Sequence, residues 1–102
     1  MLRYKRKPTS PGEILLEEFL VPLGITQKAL ADHIGCDYKV INRIVNERAG
    51  ITPEMATKLA EALETSPDFW LTAQMALDLW NLRKPKKTIT SLLKRKRYRK
   101  AA

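Results

Sequence analysis

Lys39, Asn42, Arg43 and Asn46 stand at i, i+3, i+4 and i+7, so an α-helix through them carries four hydrogen-bonding side chains on one stripe. Val40, Ile41, Ile44 and Val45 take the other side and predict a buried stripe. Arginine bonds bidentately to guanine O6 and N7, and asparagine to adenine N6 and N7, each pair discriminating by about 1–3 kcal/mol against a wrong base. Arg43 and Asn42 are therefore the leading candidates for reading base edges, joined by Tyr38 and Lys39 in the first turn. Alone, such a stripe is more often a solvated helix face. The elements around it decide between the two.

Catalysis has little to work with. His33 is the single histidine, no glycine-rich phosphate loop is present, and Glu17 and Glu18 are sequence neighbours that do not face each other on a helix. Cys36 stands alone, which excludes an intrachain disulfide and a multi-cysteine metal site and fits a reducing compartment. No enzyme activity, cofactor or metal is expected. No apolar run nears the roughly 18 residues needed to span a membrane. The basic start Met1–Lys7 runs into Pro8-Thr9-Ser10-Pro11-Gly12 rather than an apolar signal core, so the cytoplasm is the expected location.

The net charge of +8 is misleading as a sign of nucleic-acid binding. Residues 1–10 and 83–102 contain no acid and hold all but five of the 19 cations; residues 11–82 keep Lys28, Lys39, Arg43, Arg48 and Lys58 against all 11 acids. The ends are drawn to polyanions, while the middle is acidic. Three segments follow: a basic N-terminal arm (1–10), a folded domain (11–82) and a basic, flexible C-terminal tail (83–102), whose Ile89, Leu92 and Leu93 form an apolar island.

The middle reads as all-α, with five helices and no strand. The first opens at Ser10 or Thr9 with Pro11 in an early slot and Glu13 completing a capping box, buries Leu15, Leu16, Phe19 and Leu20, and is expected to end near Val21, before Pro22 and Gly24. Thr26 caps a helix over 27–34 that Gly35 closes, and Asp37 caps the next, from Tyr38 to about Asn46. Thr52-Pro53-Glu54 and Ser66-Pro67-Asp68 open the fourth and fifth, the latter running to about Leu82. Two short helices joined by a tight glycine turn, with a polar outer stripe on the second, match the helix-turn-helix unit, whose second member lies in the major groove. Gln27, at an exposed helix N-terminus, suits a phosphate, as do Thr26, Asn46 and Arg48. The fifth helix is apolar on more than one face, so Phe69, Trp70, Leu77 and Trp80 are expected to meet a second copy, the alternative being that Trp70 and Trp80 complete the core of a single chain. A homodimer places its recognition helices roughly 34–36 Å apart on a palindromic double-stranded DNA operator.

Pro11-Gly12-Glu13-Ile14-Leu15, Pro22-Leu23-Gly24, Gln27, Leu30-Ala31, Gly35, Ile41-Asn42, Asn46, Gly50-Ile51-Thr52-Pro53 and Ser66-Pro67-Asp68-Phe69-Trp70-Leu71 resemble the HigA/VapI antitoxins, within the phage-repressor-like (XRE) helix-turn-helix group. The likeness covers nearly all of residues 8–82. It implies a dimer that represses its own toxin-antitoxin promoter and neutralises a small basic HigB-like toxin that cleaves messenger RNA. It also implies base contacts from the start and outer face of the third helix. The alternatives are a stand-alone repressor without a toxin and an interaction protein that masks a partner. The tail after Arg83 is longer and more basic than the family pattern, and reads either as an arm held to phosphates or as a solvated end. A cationic tail is poorly suited to a basic toxin, so toxin contact is expected on the acidic middle.

Overall fold

The computed structural model describes residues 6–83 and 89–93. Most of the expected basic arm and tail, residues 1–5, 84–88 and 94–102, lies outside the described residues. Five helices are present among the described residues. Helix α1 spans residues 11–23 as one rod of three segments, Pro11–Ile14 (α), Leu15–Leu20 (π) and Val21–Leu23 (α). It is followed by α2 (Gln27–Ile34), α3 (Tyr38–Val45), α4 (Pro53–Leu63) and α5 (Pro67–Asn81).

Every start is fixed by a side chain close in sequence. Ser10, Thr26, Thr52 and Ser66 each accept the N–H three residues on, at 3.0–3.2 Å, and Asp37 accepts that of Lys39 at 2.8 Å. Each thereby satisfies an amide that the helix itself leaves unpaired. Four helices end the same way: a residue in the left-handed region lets the following N–H reach back five residues, as in Ile25 to Leu20 O, Cys36 to Ala31 O, Arg48 to Arg43 O and Thr65 to Ala60 O. Gly24 and Gly35 supply that conformation without strain, whereas Glu47 (φ 59°) and Glu64 (φ 57°) adopt it despite a Cβ.

The helix expected to stop near Val21 continues past Pro22 to Leu23, where Gly24 turns the chain out. The π segment explains how. Val21 N–H bonds Leu16 O, one residue further back than an α-helix bond, and this wider turn relieves the contact between a proline ring and the carbonyl before it.

The core gathers Leu15 and Leu20 of α1, Leu30 and Ala31 of α2, Ile41 and Ile44 of α3, Met55, Ala56 and Leu59 of α4, and Trp70 of α5. Trp70 is fully buried, its ring 5.5 Å from Phe19 and 5.0 Å from Phe69, and its indole N–H donates to Thr65 Oγ1 at 2.7 Å. That corrects the expectation that Trp70 and Leu77 meet a second copy: both turn inward and complete the core of this chain. A helix that carries apolar groups on two faces buries the bulkier one first, because α1 and α4 lie beside it in the same chain. Phe69 stays exposed and Trp80 half-buried, the latter beneath the Arg83 guanidinium at 3.9 Å.

Candidate nucleic-acid interface

Helix α3 is placed by what lies behind it. Ile41 and Ile44 are buried and Val45 half-buried, so the helix shows its other side outward. Helix α1 holds it at one end. A Cβ on Gly12 would overlap the Ile44 carbonyl oxygen and lie 2.8 Å from Ile44 C and 3.0 Å from Val45 Cα, so only glycine lets the start of α1 touch the backbone of α3. The loop after α3 is pinned as well. Gln74 of α5 accepts the Ile51 N–H at 2.9 Å and donates to Asp78 at 2.9 Å, tying the loop to the last helix.

On the outer face, Tyr38, Lys39, Arg43 and Asn46 are exposed and Asn42 is half-buried. Asn42 Nδ2 donates to Gln27 Oε1 at 3.0 Å and to Tyr38 Oη at 3.2 Å. These bonds join the start of α2 to α3 and spend both Asn42 amide hydrogens inside the chain, so base reading by Asn42 requires exchanging one of them. Arg43 carries its donor fork into solvent with no ion pair among the described residues. Asn46 gives an amide hydrogen to the Asn42 carbonyl at 2.9 Å and thereby helps close its own helix.

Gln27 is half-buried beside Thr26 at the N-terminus of α2, and its side-chain oxygen accepts from Asn42. The first amides of that helix and the exposed Thr26 lie next to Gln27, which Asn42 ties to α3, an arrangement suited to an anion beside a groove-reading helix. Arg48 is exposed at the other end of α3. The hydrogen bonds bring Gln27, Tyr38 and Asn42 together; Thr26 adjoins Gln27 as the α2 cap, Lys39 and Arg43 are exposed on the same helix as Asn42, and Asn46 and Arg48 are exposed at and beyond the end of α3.

Two residues escaped the sequence reading. Val40, expected in the buried stripe, is 38% exposed. It lies about 90° round the helix from the centre of the buried face formed by Ile41, Ile44 and Val45. An exposed methyl pair beside Arg43 suits the C5-methyl of thymine. Turn angles from Ile41 and Ile44 alone put Val40 and Val45 equally far from the buried centre, so spacing carried no signal that separates them. Glu47, which pairs with Lys7 at 3.2 Å, gave no signal because its partner is distant in the chain.

No group of three or more metal-ligating side chains occurs among the described residues, and no described helix is long and apolar enough to cross a membrane. Burial raises the Cys36 thiol pKa above its ordinary value, with Asp37 adding to the rise and Lys58 opposing it, so the thiol stays protonated at neutral pH.

A helix-turn-helix family model matches residues 16–70. The chain is 46% identical to the antitoxin HigA-1 of Vibrio cholerae, over 81% of this chain and 78% of the relative. It is 47% identical to an uncharacterised helix-turn-helix transcriptional regulator of Haemophilus influenzae, over 85% and 81%. Among solved structures, Pseudomonas aeruginosa antitoxin HigA with the higBA promoter superposes with a TM-score of 0.75 at 35% identity, over 85% of this chain and 100% of that one.

Proposed function

The chain belongs to the helix-turn-helix family, in the group that includes the HigA antitoxins, and on that premise we propose that it is a sequence-specific DNA-binding antitoxin that represses its own promoter as a dimer. One observation carries the reading: the exposed outer face of α3, joined through Asn42 and Gln27 to the phosphate-suited start of α2. Arg43 and Lys39 read base edges, Val40 meets a thymine methyl, and Thr26, Gln27 and Arg48 hold phosphates. Asn42 reaches a base by exchanging one of its bonds to Gln27 and Tyr38, and Tyr38 reaches the bases from the position its bond to Asn42 sets.

Support for the dimer comes from α5. Met75, Leu79 and Leu82 are 51%, 51% and 66% exposed and recur at i, i+4 and i+7, on the side of the helix away from Trp70 and Leu77. An apolar stripe of that length on a small protein is suited to a second copy of itself, with Phe69 and Trp80 at its flank. The dimer then offers two α3 helices about one DNA turn apart to a palindromic site. Neutralisation of a small, basic, mRNA-cleaving toxin completes the proposal. Its support is the kinship with HigA-1, together with the acidic surface of residues 11–82.

Footprinting on the DNA upstream of the protein's own gene tests the first part: a protected palindrome is expected, and Arg43→Ala loses it while retaining binding to random DNA. Protection without symmetry, or equal loss on both DNAs, overturns it. For the toxin, the tagged protein is captured from its own host after nuclease digestion. A stoichiometric small basic partner that blocks translation when expressed alone supports the antitoxin. Recovery of its own copies only leaves a stand-alone repressor.

A further inference from the structure

The segment that leads into α1 carries Arg6 and Lys7, both exposed, and its course is set. Ser10 is buried as the α1 cap, Pro8 is half-buried, and Lys7 Nζ lies 3.2 Å from Glu47 Oε1, across 40 residues of sequence. Glu47 is the left-handed residue directly after α3, and exposed Arg48 follows it. The arm therefore leaves the domain beside the far end of the helix whose outer face is built to meet DNA.

Charge makes the pairing informative. In the homeodomain variant of the helix-turn-helix the C-terminal end of the recognition helix meets the sugar-phosphate backbone, and Glu47 stands just past the corresponding end of α3. A bare carboxylate at Glu47 is poorly placed there, and Lys7 neutralises it. An exposed pair of this kind adds little to stability; its effect is on where the arm sits. One residue further out, within about 4 Å of backbone, Arg6 has no acid partner among the described residues.

The geometry points to a further DNA contact: Arg6 grips the sugar-phosphate backbone flanking the recognition helix, with the Lys7–Glu47 pair as the tie that positions it. This rests on the DNA-binding reading above and adds a contact outside the helix-turn-helix unit. Because phosphates carry no sequence, the contact strengthens operator and random DNA alike.

The test is the dependence of affinity on salt, read by fluorescence anisotropy with the footprinted operator and a scrambled duplex. Arg6→Ala is expected to lower the slope of log affinity against log salt by about 0.9 on both duplexes, the value for one lost phosphate contact. In a Glu47→Gln background the same substitution is expected to lower it by less, because the arm is no longer placed; in a Glu61→Gln background, an equal charge change on α4, it keeps its full effect. Thermal melts establish that each variant is folded. An unchanged slope for Arg6→Ala, with the parent protein still protecting its operator, overturns the contact, and an equal loss in the Glu47→Gln background overturns the positioning role. A parent protein that protects no DNA overturns the DNA reading itself, a result separate from either.

Discussion

Gly12→Ala sets two physical effects against each other. In an ordinary helix the exchange gains roughly 1 kcal/mol, because glycine is the poorer helix former. Here the added Cβ overlaps the Ile44 carbonyl oxygen and falls 2.8 Å from its carbon, inside the 3.4 Å at which ordinary contact begins. The obstacle is backbone at the buried Ile44 of α3, with no rotamer to relieve it, so the upper part of the overpacking range applies, about 3 kcal/mol. The net expectation is a loss of about 2 kcal/mol, or roughly 8–16 °C in Tm for a domain of this size. Since relief requires α3 to move away from α1, operator affinity is expected to fall more than affinity for a scrambled duplex. Circular dichroism melts and anisotropy titrations measure the two effects, with exposed Glu17→Ala as the reference substitution. A Gly12→Ala protein as stable as the parent, or more so, would refute the close approach and leave helix propensity as the dominant effect.

Glu64→Gly is expected to stabilise the fold by about 0.5–1 kcal/mol, since relief of the left-handed strain outweighs the added freedom of the unfolded chain; a denaturant titration shows it, and DNA binding stays unchanged. Leu79→Glu places a charge in the exposed stripe of α5 and is expected to yield a folded monomer by sedimentation, with operator affinity reduced as the two half-sites separate. Asn42→Ala removes the bonds to Gln27 and Tyr38 and is expected to weaken operator and random DNA together, by about 1–3 kcal/mol on the operator, because it unsettles α2 as well as α3. Cys36 is expected to react with iodoacetamide more slowly than a free thiol at pH 8. Its raised pKa also implies that stability holds below the ordinary thiol range and falls as pH rises through it; equal alkylation rates in folded and urea-unfolded protein would contradict this.

The sequence by itself determined whatever is decided within a turn of helix. Ser10, Thr26, Asp37, Thr52 and Ser66 cap amides two or three residues away, and Gly24 and Gly35 close helices through their own φ. Five helices, the tight turn between α2 and α3 and the polar stripe were therefore legible from composition and spacing. Spacing also marked the buried faces of α1 and α3, and tertiary structure decided where the apolar pattern left more than one choice. It turned Trp70 and Leu77 into the core, left Val40 outside, and carried α1 through Pro22 on a widened turn. It also made the contacts that hold the candidate site: Gly12 against Ile44, Gln74 to Ile51 across 23 residues, and Lys7 to Glu47 across 40. Caps depend on atoms that covalent geometry already brings together. These contacts depend on how five helices divide a limited apolar surface among themselves, a competition settled only when the chain closes on itself.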